Sequence, residues 1–267
     1  MSSPRFLRRA RPALGTLAEV GLRVPEEEVE AGSAARWAEP LFRLAWRALA
    51  AVERAMSAFD AESDVGRFNR ARRGDSIPVG AETAGVLRAA RWLERGSAGL
   101  FDVSLGTGPD AWSLRRREGA AFLRKHARAV QLDLGGLAKG HAVDRAFQVL
   151  ASRLRGNRGA AWWVNAGGDL RVHGVRLPVH LRDERGGGAR PWLELCDGAL
   201  ATSHYGPAAR SRLSGADPAG ERHVSVVSPR CLWSDGLTKV VALSGRPDHP
   251  LLARRGAVAW LHPVRHP

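Results

Sequence analysis

The segment LDLGGLAKGHAVD, residues 132–144, joins two patterns of different period. Val130, Leu132 and Leu134 alternate with polar residues, which indicates a half-buried strand. Beyond the paired glycines, apolar residues recur three or four positions apart over residues 137–154, which indicates a helix. The sequence therefore predicts a strand, a glycine turn and a helix, an arrangement that directs the positive end of a helix dipole at an anion.

Two charged residues, Asp133 and Lys139, flank this predicted turn. Lysine is scarce in the chain, because among 41 basic residues the lysines are only Lys125, Lys139 and Lys239. A lysine in a chain that otherwise uses arginine indicates a position that needs a compact ammonium group. The alternative is ordinary connecting structure, with Asp133 as a helix cap and Lys139 on a solvated helix face.

Length and composition indicate a globular protein. The 267 residues are 44% apolar and 25% charged, and no apolar run is long enough to span a membrane. Cys196 and Cys231 form neither a zinc pattern nor a disulfide framework. The N-terminal residues include arginines but no apolar run typical of a signal peptide, and we therefore expect a cytoplasmic protein.

The net charge of +14 raises the question of a nucleic-acid partner. The arginines are scattered, and the sequence contains no basic helix and no known nucleic-acid motif. We attribute the charge to a composition rich in arginine, with a general attraction for ligands that carry phosphate. We expect no nucleic-acid partner.

Periodicity along the chain predicts one α+β domain over residues 14–261, with a flexible N-terminus at residues 1–13 and a C-terminal tail at residues 262–267. Strands are predicted at Thr16–Val24, 160–166, Leu170–Val175, Val179–Arg182, Trp192–Cys196, His223–Val227 and Ala257–Leu261. Helices are predicted at Ser33–Met56, Ala81–Ser97, 137–154, after a Ser63 cap and after a Ser234 cap.

A series of short motifs follows the chain in a fixed order. They are ALGT (13–16), MSAF with ESDVGRFNR (56–70), GLFDVSLG with a later Trp (99–112), LDLGGLAKGHAVD (132–144), VNAGGD (164–169), ALATS (199–203), ADPAG with VSVVSP (216–229) and SDGLTK (234–239). In this order the motifs resemble those of the ApbE family of flavin transferases, which move FMN from FAD onto a protein hydroxyl.

The resemblance implies a fold and a reaction. The fold is an ApbE-like (T-fold-related) α+β fold, in which a mixed, mainly antiparallel sheet packs against helices. The implied substrate is FAD, with Mg²⁺ as cofactor and AMP as the product that leaves. The implied partner is an acceptor flavoprotein that carries an Asp-Gly-x-Ser/Thr-type motif.

The resemblance also implies the residues of the site. Contact with the flavin nucleotide is implied for Leu14, Phe59, Leu100, Phe101, Asp102, Asp133, Lys139, Thr202, Ser203 and Thr238. Metal binding is implied for the backbone oxygen of Gly136 and for Asp235 and Thr238, and a catalytic role for Asp235, Lys239 and Ser214. From the residues alone, Asp102 is equally a turn former, Asp235 a helix cap, and Thr202 and Ser203 strand-end hydroxyls.

The sequence departs from the family's pattern at several positions. Phe59 replaces a tyrosine and keeps its ring, and Ser214 stands where the family has a histidine, for which His204 or His223 would have to substitute. Lys239 stands where the family has a metal-binding threonine, and a protonated lysine cannot ligate Mg²⁺. Either Thr238 supplies that oxygen, or Lys239 lies where the metal would lie and pairs with Asp235 and the pyrophosphate.

The leading hypothesis is therefore an FAD:protein FMN transferase. The alternatives are a family member that binds FAD without transferring FMN, and a metal-dependent FAD pyrophosphate hydrolase. Release of free FMN would distinguish the hydrolase from the transferase.

Overall fold

A computed structural model of the protein describes residues 4–182, 187–205 and 222–262. Within these ranges the strands are β1 (Phe6–Ala13), β2 (Thr16–Arg23), β3 (Ser76–Val79), β4 (Trp112–Arg117), β5 (Ala120–Lys125), β6 (Trp162–Ala166), β7 (Asp169–His173), β8 (Leu177–Arg182), β9 (Ala189–Leu195), β10 (Ala199–Tyr205), β11 (Arg222–Ser228) and β12 (Val258–His262). The helices are α1 (Glu26–Glu30), α2 (Ala34–Met56), α3 (Asp64–Arg70), α4 (Ala81–Gly96), α5 (Gly135–Leu154), α6 (Cys231–Ser244) and α7 (Pro250–Ala253).

The largest element is a seven-stranded sheet with the order β1-β2-β6-β7-β10-β11-β12, in which neighbouring strands are antiparallel. β3, β5 and β4 form a smaller antiparallel sheet, and β8 pairs with β9 in a two-stranded ribbon. The predicted α+β architecture, a mainly antiparallel sheet with packed helices, is confirmed.

The large sheet separates two hydrophobic clusters, because successive side chains of a strand point to opposite faces. On one face, Ala18, Val20 and Leu22 of β2 are fully buried in the main core with residues of α2, α5 and α6. On the other face, Trp163 of β6 packs in a second cluster with residues of the β8–β9 ribbon, such as Leu195. The helices and the ribbon therefore cover opposite faces of the sheet.

The start of α5 differs from the prediction. Residues 130–134 form no strand, because Leu132 N–H bonds to Asn69 Oδ1 (2.7 Å) and Asp133 N–H bonds to Val103 O (2.9 Å), so that loop groups take the place of a partner strand. The helix begins at Gly135, and both glycines of the predicted turn lie in its first turn. Gly136 packs against Lys239 of α6, whereas a Cβ on Gly135 would meet only Asp133.

The N-terminus also differs from the prediction. The predicted flexible segment includes β1, which pairs along its whole length with β2. Its arginines hide the strand pattern, because an edge strand carries charged side chains at little cost. Phe6 anchors the strand by packing against Trp163, with 5.6 Å between the ring centroids. At the other end, β12 includes His262, and residues 263–267 lie outside the described part.

The start of α6 is the third difference. Ser234 does not cap this helix, which begins three residues earlier at Cys231. The cap comes from a distant residue, since the Asp144 carboxylate accepts hydrogen bonds from Cys231 N–H (3.0 Å) and Leu232 N–H (3.1 Å). Ser234 instead bonds to Ser228 Oγ at 2.8 Å. Sequence periodicity cannot reveal a cap supplied by another helix.

The remaining predicted elements are present. α2, α4 and β2 have the predicted bounds to within a residue, and Ser63 caps α3 by accepting a 2.7 Å hydrogen bond from Gly66 N–H. β3, β4, β5 and β10 were not predicted as strands. Among the described helices, none combines the length and apolar character that a membrane span requires.

Candidate functional site

The site is built where α5 and α6 approach each other through glycine. A Cβ on Gly140 would lie 2.4 Å from Cys231 O and 2.8 Å from Asp235 Cβ, so only glycine allows this contact. Gly236 faces α5 in the same way, because a Cβ there would lie 2.7 Å from Leu137 Cδ2. The close approach lets Gly140 N–H donate a 3.1 Å hydrogen bond to Asp235 Oδ2.

Asp235 and Lys239 form a buried ion pair within α6. The Lys239 ammonium donates to Asp235 Oδ1 and, at 3.0 Å, to Asp235 O. Burial is the largest influence and lowers the pKa of Lys239, but Asp235, Tyr205 and Asp169 together outweigh it, and the pKa lies above its ordinary value. Lys239 therefore carries a positive charge in the protein interior.

A second ion pair lies beside the first. Lys139 Nζ is 2.8 Å from Asp169 Oδ2, and Asp169 is only 1% exposed. Burial and the nearby charge of Asp235 raise the pKa of Asp169 to about 6, although both lysines oppose the shift. The charge of Asp169 raises the pKa of Lys139 more than burial lowers it. At neutral pH two ammonium groups and two carboxylates thus form one cluster, called the charged cluster below: Lys139, Asp169, Asp235 and Lys239.

Hydroxyl groups from β10 reach the same helix. Thr238 Oγ1 donates to Asp235 O at 2.7 Å, and it lies 3.1 Å from Ser203 Oγ and 3.2 Å from Tyr205 OH. Thr202 lies on the other face of the sheet, where its hydroxyl contacts Ser225 Oγ at 2.8 Å. The predicted Thr-Ser pair is therefore divided between the two faces, and of the two only Ser203 contacts α6, through Thr238.

The loop between α4 and β4 brings an aromatic ring to the cluster. Phe101 is 4% exposed, and a Cβ on Gly136 would lie 3.7 Å from Phe101 Cε2 and 3.2 Å from Lys239 Cε. Phe101, Gly136 and Lys239 therefore meet. Asp102 shapes the loop, because its carboxylate accepts from Ser104 N–H (2.7 Å) and Gly106 N–H (3.0 Å).

Other predicted residues lie around this centre. Asp133 caps α5 by accepting a 2.7 Å hydrogen bond from Gly135 N–H, as its alternative interpretation proposed. Leu14 lies in the β1–β2 turn with a φ of 55° and donates its N–H to Glu53 Oε1 at 3.1 Å. Phe59 is 100% exposed and so lies outside the buried cluster. Ser214 lies outside the described residues.

Sequence reasoning assigned no site role to two residues that the structure brings to the cluster. Asp169 was only the last residue of the VNAGGD motif, yet it pairs with Lys139. Tyr205 is the only tyrosine of the chain, and this rarity was the signal that could have singled it out. Its hydroxyl is buried against Thr238.

The positions implied for Mg²⁺ lie together, but their donor atoms do not fit the ion. The Lys239 ammonium occupies Asp235 Oδ1 and O, Gly140 N–H occupies Asp235 Oδ2, and the Thr238 hydroxyl bonds to Asp235 O. An ammonium about 4 Å from a divalent ion would repel it by about 8 kcal/mol, twice the value of about 4 kcal/mol for two unit charges at an effective dielectric constant of about 20.

A separate open cavity of about 930 Å³ lies between α4, β4 and the segment after α7. Arginines dominate its lining, and we call it the arginine groove: Arg88, Arg91, Arg95, Arg115, Arg116 and Arg254. Within the described ranges, only Arg91 of these six forms a salt bridge, at 2.7 Å from Glu94. Asp110 also lines the groove, so the six arginines give it a strong net positive charge.

The arginine groove adjoins the Phe101 loop. Gly96 and Pro109, which flank that loop in the sequence, both line the groove. Arg91 Nη2 donates to Pro109 O (2.7 Å) and also to Trp112 O, and its guanidinium lies 3.6 Å from the Trp112 ring centroid. The groove and the Phe101 loop are thus parts of one connected structure.

Comparison with known proteins gives a consistent result. A model of the ApbE family matches residues 14–261. No curated protein matches the chain. Similar solved structures include the flavin transferase ApbE from Vibrio cholerae, which is 20% identical with a TM-score of 0.68 over 90% of this chain and 87% of that chain.

Two further solved structures share the fold. The flavinyl transferase ApbE of Pseudomonas stutzeri, in its apo form, is 22% identical with a TM-score of 0.70 over 97% of this chain and 91% of that chain. The ApbE protein of Thermotoga maritima is 20% identical with a TM-score of 0.73 over 91% of this chain and 88% of that chain.

Proposed function

Because the chain belongs to the ApbE family, we propose that it is an FAD:protein FMN transferase. In this reaction a Ser or Thr hydroxyl oxygen of an acceptor flavoprotein bonds to the FMN-side phosphorus of FAD. The bond from that phosphorus to the bridging oxygen breaks, AMP leaves with that oxygen, and the hydroxyl proton is released. Phosphoryl transfer of this kind depends mainly on positioning and charge neutralisation, because the protein supplies little covalent chemistry.

The observation that carries the proposal is the charged cluster beside Phe101. A pyrophosphate placed there would face two ammonium groups, Lys139 and Lys239, at the N-terminal end of α5. The helix dipole contributes about half a unit charge, and the Asp133 carboxylate already caps this end. Each lysine is paired with a carboxylate, so the cluster is neutral as a whole, and it offers an anionic ligand the ammonium N–H donors of Lys139 and Lys239.

The same arrangement suggests roles for the surrounding groups. Phe101 would bound the flavin nucleotide next to Gly136, and the exposed ring of Phe59 would offer a face for stacking. Contact with the flavin nucleotide stays a prediction for Leu14, Leu100, Asp102 and Ser203. A catalytic role for Ser214 also stays a prediction. Thr202 is left out of the proposed site, because it lies on the opposite face of the sheet.

The resemblance implies a magnesium requirement, which our proposal does not adopt. Asp235, Thr238 and Gly136 are the residues that the resemblance implies as ligands, and Lys239 engages the first of them. In our proposal Asp235 positions the Lys239 ammonium, and the lysines supply the positive charge toward the pyrophosphate. The cytoplasmic location also stays a prediction, which cell fractionation would test.

The arginine groove is our candidate docking surface for the acceptor flavoprotein. It carries five arginines without a salt bridge among the described residues, and Gly96 and Pro109 connect it to the Phe101 loop. A protein surface rich in Asp and Glu complements this charge and would be steered to it. An acceptor docked there would bring its Asp-Gly-x-Ser/Thr-type segment toward the same loop.

Incubation of the purified protein with FAD and a synthetic acceptor domain tests the proposal. We expect AMP in solution and flavin bound covalently to the acceptor, which denaturing gels would detect by fluorescence. An acceptor whose motif hydroxyl is replaced by alanine is the matched control. Intact FAD with no labelled acceptor would indicate a protein that binds FAD without transfer, and FMN free in solution would indicate the hydrolase.

A further inference from the structure

We propose that the Lys239 ammonium takes the place of a divalent cation in this site, so that the protein binds the FAD pyrophosphate without a metal. The inference rests on the proposed function, because that function places the pyrophosphate at the charged cluster. It deepens that function by naming the cation that faces the ligand.

The first support is the position of the ammonium. Lys239 Nζ contacts two oxygens of one residue, Asp235 Oδ1 and Asp235 O, as a bound cation would. An ammonium carries three N–H donors, and among the described residues only these two oxygens accept from it. The third N–H is available to a phosphate oxygen.

The second support is the shape of the niche around the side chain. A Cβ on Gly136 would lie 3.2 Å from Lys239 Cε and 3.7 Å from Lys239 Cδ, so glycine leaves room for the lysine stem. The spacing of four residues with the acid on the N-terminal side is the favourable orientation for a helical ion pair. The niche therefore holds the ammonium in one place.

The third support is the balance of charge. Two carboxylates, Asp169 and Asp235, already pair with two ammonium groups, Lys139 and Lys239. A divalent ion would add two positive charges to a cluster that is neutral, and it would have to displace Lys239 from Asp235. A pyrophosphate adds the negative charge that this cluster can accept through its lysines.

The fourth support is that position 239 holds a lysine and not an arginine. The chain uses arginine at nearly every basic position, and Lys239 is one of its three lysines. A guanidinium is planar and wide, whereas an ammonium is a compact point charge close in character to a metal ion. The sequence thus places one of its three lysines between Asp235 and Gly136.

The test measures FAD affinity and metal binding separately. FAD binding is measured by quenching of flavin fluorescence, in excess EDTA and in excess MgCl₂, for the wild type and for Lys239→Thr, Lys239→Met and the surface control Arg153→Gln. Binding of Mn²⁺ is measured by electron paramagnetic resonance, with and without ADP as a pyrophosphate probe.

We expect the wild type and Arg153→Gln to bind FAD equally in EDTA and MgCl₂ and to bind no Mn²⁺. Lys239→Thr removes the ammonium and adds an oxygen, so we expect it to bind Mn²⁺ and to lose about tenfold or more in FAD affinity unless metal is present. Lys239→Met adds no ligand, so its FAD affinity should fall with or without metal.

A fall of about tenfold in wild-type FAD affinity on chelation, or Mn²⁺ binding by the wild type, would overturn the inference. Both measurements use the natural chain, so they decide the matter even if the variants do not fold. Absence of FAD binding by the wild type in both buffers is a different failure, because it removes the proposed function together with the inference.

Discussion

The backbone N–H of Gly140 donates a 3.1 Å hydrogen bond to the carboxylate of Asp235, across 95 residues of the chain. The bond joins α5 to α6, and it fixes the carboxylate that holds Lys239. The contact between α5 and α6 therefore sets the position of the Asp235 carboxylate and, through it, the position of the Lys239 ammonium.

Substitution of Gly140 by alanine should separate the two helices. Alanine favours a helix over glycine by about 1 kcal/mol, but its Cβ would lie 2.4 Å from Cys231 O. Since the clash involves backbone, we expect Gly140→Ala to lower the free energy of unfolding by about 1–3 kcal/mol. Gly156→Ala is the matched control, because a Cβ there meets nothing within 4 Å. Urea unfolding measures both, and equal stabilities would contradict the close contact.

Removal of the Asp144 carboxylate should destabilise the start of α6. This buried group caps Cys231 and Leu232 and pairs with Arg171 at 2.6 Å. Loss of one partner of a buried pair leaves the other uncompensated, so Asp144→Ala should cost about 3–5 kcal/mol. Asp144→Asn keeps one acceptor and should cost less. The order of the two melting curves is the readout, and a reversed order would refute the capping role.

Replacement of Lys139 by methionine should affect both stability and binding. It leaves Asp169, which is 1% exposed, without its 2.8 Å partner, so the protein should lose stability by about 3 kcal/mol or more. Adding Asp169→Asn should restore part of that stability but not FAD affinity. Thermal unfolding and FAD titration together separate the structural role from the binding role. Recovery of full FAD affinity in the double variant would exclude Lys139 from the ligand site.

The pH dependence of stability should carry a signature of Asp169. Its pKa is about 6 in the folded protein and 3.8 as an isolated group, mainly because of burial. The folded state thus binds the proton more tightly, so this stabilisation is present at low pH and is lost as the pH rises from 3.8 through about 6. At 1.36 kcal/mol per pKa unit the change is about 3 kcal/mol.

The measurement compares unfolding free energies of the wild type and Asp169→Asn across that pH range. Subtraction removes the contribution of the other carboxylates. We expect the unfolding free energy of the wild type minus that of Asp169→Asn to fall with rising pH. It should level off above the folded-state pKa. A difference that stays flat, or that rises with pH, would show that Asp169 titrates at an ordinary value or below it.

Charge reversal in the arginine groove should weaken binding of the acceptor protein and leave FAD binding unchanged. Arg95→Glu and Arg116→Glu each turn an attraction for an acidic surface into a repulsion. We expect the KM for the acceptor to rise by about tenfold and to become less dependent on salt, while FAD affinity is unchanged. Arg153→Glu makes the same change outside the groove. If all three variants behave alike, the effect comes from net charge and not from the groove.

Much of the helical scaffold follows from local pattern. The apolar periodicity of α2 and α4 predicts helices that the structure contains at the same positions, and the Ser63 cap is local to its helix. Local pattern predicts the strands less completely. β1 carries arginines on an exposed edge, and β10 is a run of buried residues followed by a run of half-buried ones, so neither shows the alternation typical of a strand.

Within the candidate site, the sequence by itself predicted roles for Lys139, Asp235 and Lys239, because scarce residue types and ordered motifs are properties of the chain. Tertiary structure alone decided their partners. Asp169 meets Lys139, and Asp144 caps α6, through contacts between segments far apart in sequence. The glycines of the central segment illustrate the same division. Their identity was plain, but only packing shows that Gly136 makes room for Lys239 and that Gly140 admits α6, since close approach is a property of two surfaces and not of one.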